Sequence, residues 1–130
     1  MLDHPLDTET TDEEYFARVK AIDSILMNPN NLIIGHNITN FDIIWWCVFL
    51  EHNTFTGKQF DTRIAHALID ENAENSLGAL ANKYTNFIKN EEKLNRRKLI
   101  KYDPQTVLRY NMMDAAISRA LLLPIKRDLE

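Results

Sequence analysis

The fold is decided by residues 32–42, which have the sequence LIIGHNITNFD. The run from Leu32 to Ile34 is too short for a helix and is rich in β-branched residues, so it predicts a strand buried on both faces. A polar loop follows the strand, and a helix is predicted from about residues 39–40 to Glu51. A strand, a loop and a helix in this order are typical of an α/β fold.

Local signals predict the elements on both sides of this segment. On the N-terminal side, Thr11 is a predicted N-cap, followed by three acidic residues and by apolar residues at helical spacing, until Asn28-Pro29 ends the helix. On the C-terminal side, a short strand is predicted to end at Asp61. This aspartate is expected mainly to cap the next helix, over residues 62–69.

Two further helices complete the predicted order. Ser76 is the predicted N-cap of one that continues to about Tyr84. Asp103-Pro104 starts the other, because Pro is favoured at the first helical position. That last helix is expected to run to about Leu123, where Pro124 ends or kinks it. The predicted order is helix, strand, helix, strand and three helices.

The composition indicates a single soluble globular domain. The chain has 130 residues, of which 45% are hydrophobic and 26% are charged. Its single cysteine, Cys47, cannot form an internal disulfide, and we expect it to be reduced and buried, as suits a cytoplasmic location. No apolar run approaches the roughly 18 residues needed to span a bilayer, so no membrane association is expected.

Charge is segregated along the chain, although the net charge is only −4. Residues 1–15 contain six carboxylates and no Lys or Arg, and residues 1–11 are predicted to form an acidic tail. Residues 83–109 contain eight basic and three acidic side chains. This pattern indicates either a phosphate-facing side opposite an acidic end or two solvated faces.

Three motifs occur in order along the chain. The first is GHNITNFD at residues 35–42; the second is FDTR at 60–63, followed by SLGALANKY at 76–84; the third is YNMMD at 110–114. Together they resemble the 3′–5′ proofreading exonuclease domain of DNA polymerases, in the DEDD (DnaQ-like) superfamily, most closely that of the phage-type family A polymerases. The resemblance covers about residues 12–127. It implies an RNase H-like fold and, for a phage-encoded chain, the host cytoplasm.

The resemblance also implies a set of site residues. Asp42 and Asp114 would hold Mg²⁺ or Mn²⁺ in a two-metal-ion hydrolysis of phosphodiester bonds. Tyr110, which shares a helix face with Asp114, would orient the attacking water. Asn37 would contact the substrate strand or support the carboxylates. The basic residues Arg96, Arg97 and Lys98 are further predicted nucleic-acid contacts, whereas Trp45, Trp46 and Phe49 are expected to pack in the core.

The chain departs from the family pattern at the Asp-x-Glu motif of the opening strand. The letters occur as Asp7-Thr8-Glu9, but Pro5 precedes them, no β-branched run surrounds them, and the first helix begins at about Asp12. In one interpretation Asp7 and Glu9 are metal ligands placed by a rearranged N-terminus. In the other, which we favour, the match is chance, and the first strands of the domain are absent or come from another polypeptide.

The sequence therefore predicts an α/β, RNase H-like exonuclease fold that is N-terminally incomplete, with an acidic tail over 1–11 and a partial 3′–5′ exonuclease domain over 12–130. The expected substrate is the 3′ end of single-stranded DNA. The expected partners are a polymerase, a complementary exonuclease chain or a second copy of this chain. The alternatives are a catalytically inactive relative that binds nucleic acid or a protein partner, and an unrelated helical interaction protein.

Overall fold

A computed structural model describes residues 11–87, 98 and 101–130. The elements in these residues are α1 (Asp12–Leu26), β1 (Leu32–Gly35), α2 (Asp42–Phe49), β2 (Lys58–Asp61), α3 (Thr62–Ile69), α4 (Leu77–Tyr84) and α5 (Pro104–Leu129). The predicted order of helices and strands is confirmed. The predicted acidic tail, apart from Thr11, lies outside the described residues.

Capping side chains set the starts of the helices. The hydroxyl of Thr11 accepts from the backbone N–H of Glu14 at 3.2 Å, and the Glu14 carboxylate accepts from the N–H of Thr11 at 3.1 Å. This reciprocal pair is a capping box, which satisfies two backbone donors at the start of α1. Ser76 caps α4 by accepting from the N–H of Ala79 at 3.2 Å, and Asp103 precedes Pro104 at the start of α5. All three residues occupy the predicted N-cap positions, and the side chains of Thr11 and Ser76, but not that of Asp103, make a capping hydrogen bond.

The described sheet consists of β1 and β2, which pair in parallel. The segment between them contains α2, as parallel neighbours require a crossover connection. In the register of the pair, Leu32 lies opposite Lys58 and Gly35 lies opposite Asp61. Both carboxyl ends therefore meet at one edge, where sites in α/β folds form. A small parallel sheet with surrounding helices is compatible with an α/β exonuclease domain.

The main core lies among α3, α4 and α5. Its buried side chains are apolar and come from all three helices: Ala65, Leu77, Leu80, Ala81, Ile117, Leu121 and Ile125. Phe60, at the end of β2, packs against this cluster and so ties the sheet to the helices. The core thereby fixes α5 relative to the carboxyl ends of the strands.

Two predictions about burial are wrong. β1 is not buried on both faces: Leu32 is 41% exposed, and only Gly35 of the strand is buried. Trp45 and Phe49, expected in the core, are 61% and 53% exposed, and α2 contains no buried residue. The described elements do not provide enough surface to cover the apolar side chains of α2. Of the three aromatic residues expected in the core, only Trp46 is partly covered, and its indole N–H donates to Asp23 at 2.8 Å.

The last helix continues beyond the expected end. α5 has 26 residues and includes Pro124 in its interior. Proline removes one helical hydrogen bond, but Leu121, Leu122 and Ile125 are buried on either side of it, and their packing holds the helix together. None of the helices in the described part of the chain is long and apolar enough to cross a membrane.

Candidate active site

The site is organised by the carboxylate of Asp61, which is 7% exposed at the end of β2. Its Oδ1 accepts from the backbone N–H of Arg63 at 3.0 Å and of Ile64 at 3.4 Å. These two donors are unsatisfied by the helix itself, since they belong to the first turn of α3. The prediction that Asp61 caps this helix is confirmed.

The same carboxylate reaches across to the loop that follows β1. Oδ1 accepts from the N–H of Asn37 at 2.9 Å, and Oδ2 accepts from the N–H of Thr39 at 3.0 Å. Asp61 therefore accepts four backbone hydrogen bonds, two from each of the segments that follow β1 and β2. Because a buried carboxylate needs such compensation, the loop and the helix start are held in one fixed arrangement.

A second link joins the same two segments. Thr62 is fully buried, and its hydroxyl donates to the carbonyl of Gly35 at 3.2 Å. The hydroxyl has one proton, so its 3.0 Å contact with His36 Nδ1 is a hydrogen bond donated by the imidazole N–H. His36 thus supports the loop structurally.

Asn37 has a left-handed backbone, with φ of 62°. Asparagine tolerates this conformation better than most residues that carry a Cβ atom. The turn at Asn37 directs the chain towards the start of α2, where Asp42 lies. Asn37 also lines the cleft described next. An asparagine here therefore allows the left-handed backbone and also offers a side-chain amide to a ligand.

A cleft of about 1300 Å³ opens at the carboxyl ends of the strands. Its walls come from the loop after β1 and from the helices α2, α3, α4 and α5. Asp42 and Asp114, which are far apart in the sequence, both line it. The two carboxylates that the motifs singled out therefore face the same cleft.

The environment of Asp42 disfavours its ionised form. The walls of the cleft remove part of the water from the carboxylate, which raises its pKa above the ordinary value, and the negative charge of Asp61 acts in the same direction. A backbone hydrogen bond partly offsets both effects. Asp42 as a residue remains exposed, so the carboxylate is accessible to a ligand.

Asp114 is half-buried on α5, and its Oδ1 atom is shielded from solvent. The backbone carbonyl of Asp114 accepts from the hydroxyl of Ser118 at 2.8 Å. Tyr110, one turn earlier, is half-buried and is not among the residues that line the cleft. The helix face that forms the wall carries Asn111, Asp114, Ala115 and Ser118.

Of the other predicted contacts, Lys98 alone lies in the part of the chain that the structure describes, and it is exposed and does not line the cleft. Asp7, Glu9, Arg96 and Arg97 lie outside the described residues. Within residues 11–87, 98 and 101–130, no group of three or more His, Cys, Asp or Glu side chains is arranged to hold a metal ion.

Several polar residues of the cleft were not foreseen, among them Arg63, Asn75 and Asn111. Arg63 follows Asp61 by two residues and lines the cleft. Asn75 precedes the cap of α4, and Asn111 lies one turn before Asp114. Position within a motif could have indicated Arg63 and Asn111, since each lies inside one of the quoted segments.

Comparison with known proteins gives one match. A family model described as 3′–5′ exonuclease matches residues 4–130. No curated protein and no solved structure matches the chain.

Proposed function

The chain belongs to the DnaQ-like 3′–5′ exonucleases of the family A DNA polymerase type, and on this premise we propose that it hydrolyses phosphodiester bonds at the 3′ end of single-stranded DNA. The observation that carries the proposal is the shared cleft of Asp42 and Asp114. We further propose an RNase H-like fold, supported by the parallel strands β1 and β2 and by the position of the cleft at their carboxyl ends.

The donor set of the cleft fits a divalent cation. Carboxylate oxygens are the ligands that Mg²⁺ and Mn²⁺ prefer. Asp61 is committed to four backbone N–H groups, which leaves Asp42 and Asp114 as the carboxylates for an ion. We propose that these two hold Mg²⁺ or Mn²⁺, which when bound supplies Lewis-acid stabilisation of charge on the phosphate.

The remaining residues of the cleft bind and orient the strand. The Arg63 guanidinium offers paired donors that match a phosphate group, and the Asn37 amide lies on the same cleft. Tyr110 does not line the cleft but precedes Asp114 by one turn, and we propose that its hydroxyl orients the attacking water when the strand is bound.

A two-metal mechanism needs more carboxylates than Asp42 and Asp114. We propose that the missing pair comes from an Asp-x-Glu strand of another polypeptide, such as the associated polymerase or a complementary exonuclease chain. Within the described residues β1 pairs with β2 alone, so the other edge of β1 presents backbone groups to such a strand. In the competing arrangement, Asp7 and Glu9 supply the pair.

The test is the degradation of a 5′-labelled single-stranded oligonucleotide with Mg²⁺ or Mn²⁺. We expect products shortened from the 3′ end, weak for the chain alone and stronger when a polypeptide with an Asp-x-Glu strand is added. Asp42→Asn and Asp114→Asn should each lower the rate by roughly 100-fold or more, as loss of a metal-binding carboxylate does. The matched control is Asp70→Asn, because Asp70 is exposed, caps a turn outside the cleft and should leave the rate unchanged.

Changing Asp7 or Glu9 separates the two sources of the second pair. If the chain alone degrades DNA robustly and Asp7→Asn or Glu9→Gln abolishes this, the site is complete within the chain. If neither substitution matters, another polypeptide supplies the strand.

The second candidate is a catalytically inactive protein that binds nucleic acid or a protein partner through the same cleft. Such a protein would bind single-stranded DNA equally well with and without Mg²⁺. Its affinity would also be unchanged in Asp42→Asn and Asp114→Asn. An exonuclease should instead lose its metal dependence in both variants.

A further inference from the structure

A buried histidine lies directly behind the cleft and takes no part in the proposed hydrolysis. His66, on α3, is 0% exposed, and the ring of Tyr84 packs edge-on against it with centroids 5.7 Å apart. Its Nε2 lies 3.1 Å from the Nζ of Lys83, and its Nδ1 is hydrogen-bonded to the Oδ1 of Asn75. Asn75 in turn lines the cleft that contains Asp42. A chain of contacts therefore runs from Lys83 on the surface, through the buried ring, to the wall of the cleft.

The hydrogen-bond donors in this series of contacts determine which imidazole nitrogen of His66 carries the proton. An ammonium group has three N–H donors and no acceptor, so the Nε2 atom of His66 must accept from Lys83. The neutral ring then carries its proton on Nδ1 and donates it to Asn75. Lys83 also lies 5.0 Å from the centroid of the Tyr84 ring, which holds the ammonium group near the histidine.

The tautomer determines which end of the Asn75 amide is available. Because the carbonyl oxygen of Asn75 accepts from His66, the NH₂ group is the end left to the cleft. Two neutral N–H donors on this wall match the acceptor oxygens of a nucleic-acid strand. We infer that Asn75 contacts the substrate strand, an inference that rests on the proposed function. His66 and Lys83 are then positioning residues, which hold the amide donors of Asn75 towards the strand.

The sharpest variant is Asn75→Asp. A carboxylate at residue 75 still accepts from His66, so the buried hydrogen bond and the fold are retained. It replaces the NH₂ donors by a negatively charged oxygen that repels the phosphates of the strand. We expect KM for a single-stranded oligonucleotide to rise by roughly tenfold or more, the loss typical of one hydrogen bond to a charged acceptor, with kcat little changed. The control is Asn82→Asp, which makes the same charge change at an exposed position of α4 outside the cleft.

The positioning role has a readout that does not depend on activity. In ¹⁵N-labelled full-length protein, the imidazole nitrogens should identify His66 as the Nδ1–H tautomer. Lys83→Met removes the donor to Nε2 and should abolish this preference, and it should raise KM less than Asn75→Asp does. Lys83→Arg keeps a donor and should restore both the tautomer and KM.

Each outcome decides the inference. An Nε2–H tautomer in the unmodified chain would overturn it whatever the activity. An exonuclease whose KM is the same for Asn75→Asp and Asn82→Asp would overturn the substrate contact and leave the proposed function standing. A chain that neither binds nor degrades single-stranded DNA, alone or with the complementing strand, would overturn the proposed function and the contact with it, even with the tautomer as inferred.

Discussion

The backbone N–H of Asn37 donates to Asp61 Oδ1 at 2.9 Å, across 24 residues of sequence. The same carboxylate holds the N–H of Thr39 and two N–H groups in the first turn of α3. One buried side chain thereby joins the segment after β1 to the segment after β2. Because the loop after β1 leads directly to Asp42, Asp61 sets the geometry of the candidate active site without facing the substrate.

We expect Asp61→Asn to damage both stability and activity. The amide keeps the size of the side chain but replaces one accepting oxygen by an NH₂ group, which meets backbone N–H donors and cannot accept from them. The free energy of unfolding should fall by about 1.5–3 kcal/mol, the range for hydrogen bonds to a charged group. Urea denaturation followed by tryptophan fluorescence measures this change.

Asp103→Asn is the control for this substitution. Asp103 is also a helix N-cap, but its side chain makes no capping hydrogen bond. The control should change the free energy of unfolding by less than about 0.5 kcal/mol, as surface substitutions usually do. Equal effects of the two substitutions would show that the four hydrogen bonds of Asp61 do not hold the loop.

Substitution of Asn37 by glycine separates its two roles. Glycine adopts the φ of 62° without strain, so Asn37→Gly should change the free energy of unfolding by no more than about 1 kcal/mol. Asn37→Val, with a β-branched side chain at positive φ, should cost about 1–3 kcal/mol. If the amide contacts the strand, Asn37→Gly should raise KM by roughly tenfold.

Glu51 provides the matched control, since it is the other non-glycine residue with positive φ in the described part of the chain, at 57°. It lies outside the cleft lining. Glu51→Gly should leave KM unchanged. An unchanged KM for Asn37→Gly as well would show that Asn37 serves only the backbone.

The order of elements was predictable because its signals are local. Thr11, Ser76 and Asp103-Pro104 mark helix starts through bonds or dihedral preferences within one turn. Burial was predicted less well, because it depends on which surface covers a side chain. Nothing in the apolar sequence of α2 distinguishes the covered Trp46 from the exposed Trp45.

The residues of the candidate site were likewise predictable only where the signal is local in the sequence. Asp42 and Asp114 were predicted from their motifs, and both line the cleft. The second pair of backbone bonds at Asp61 was not predictable, because it depends on the parallel register that places Gly35 opposite it. The contacts of His66 with Asn75 and Lys83 could not be predicted either. They depend on how α3 and α4 are placed relative to each other, and no residue type in the sequence indicates them.

The raised pKa of Asp42 makes a prediction about pH. A carboxyl group whose pKa is higher in the folded than in the unfolded state favours folding when protonated, and this contribution is lost as pH rises through the folded pKa. Asp42→Asn should therefore be more stable than the unmodified chain at neutral pH. The difference should shrink as pH falls towards about 4, the ordinary range of aspartate. Thermal unfolding across this pH range measures it.

A divalent cation should favour the ionised form of the Asp42 carboxylate, whereas burial disfavours it. Because the ion binds the ionised carboxylate, Mg²⁺ or Mn²⁺ should raise the Tm of the unmodified chain at neutral pH. The increase should be absent in Asp42→Asn and retained in Asp103→Asn. An equal increase in all three proteins would show that the ion binds elsewhere.

The exposed apolar face of α2 and the edge of β1 predict self-association or a complex with another chain. Phe41, Trp45 and Val48 recur at helical spacing and are all exposed, and β1 pairs on one edge only within the described residues. Contiguous apolar surface and free strand edges are features that natural proteins cover or pair. We expect a dimer of the isolated chain at micromolar concentration, measured by light scattering coupled to size-exclusion chromatography. Trp45→Glu should weaken the dimer by roughly tenfold or more, since exposed aromatic residues dominate such interfaces.

Leu123→Glu is the control for the dimer, because Leu123 is 69% exposed on α5, far from α2 in the sequence. It should leave the dimer intact. A dimer that survives Trp45→Glu would assign the association to the edge of β1, because backbone pairing there does not depend on the indole. A chain that stays strictly monomeric at high micromolar concentration would contradict the prediction. It would also remove the support that the edge of β1 gives to a strand supplied by another polypeptide.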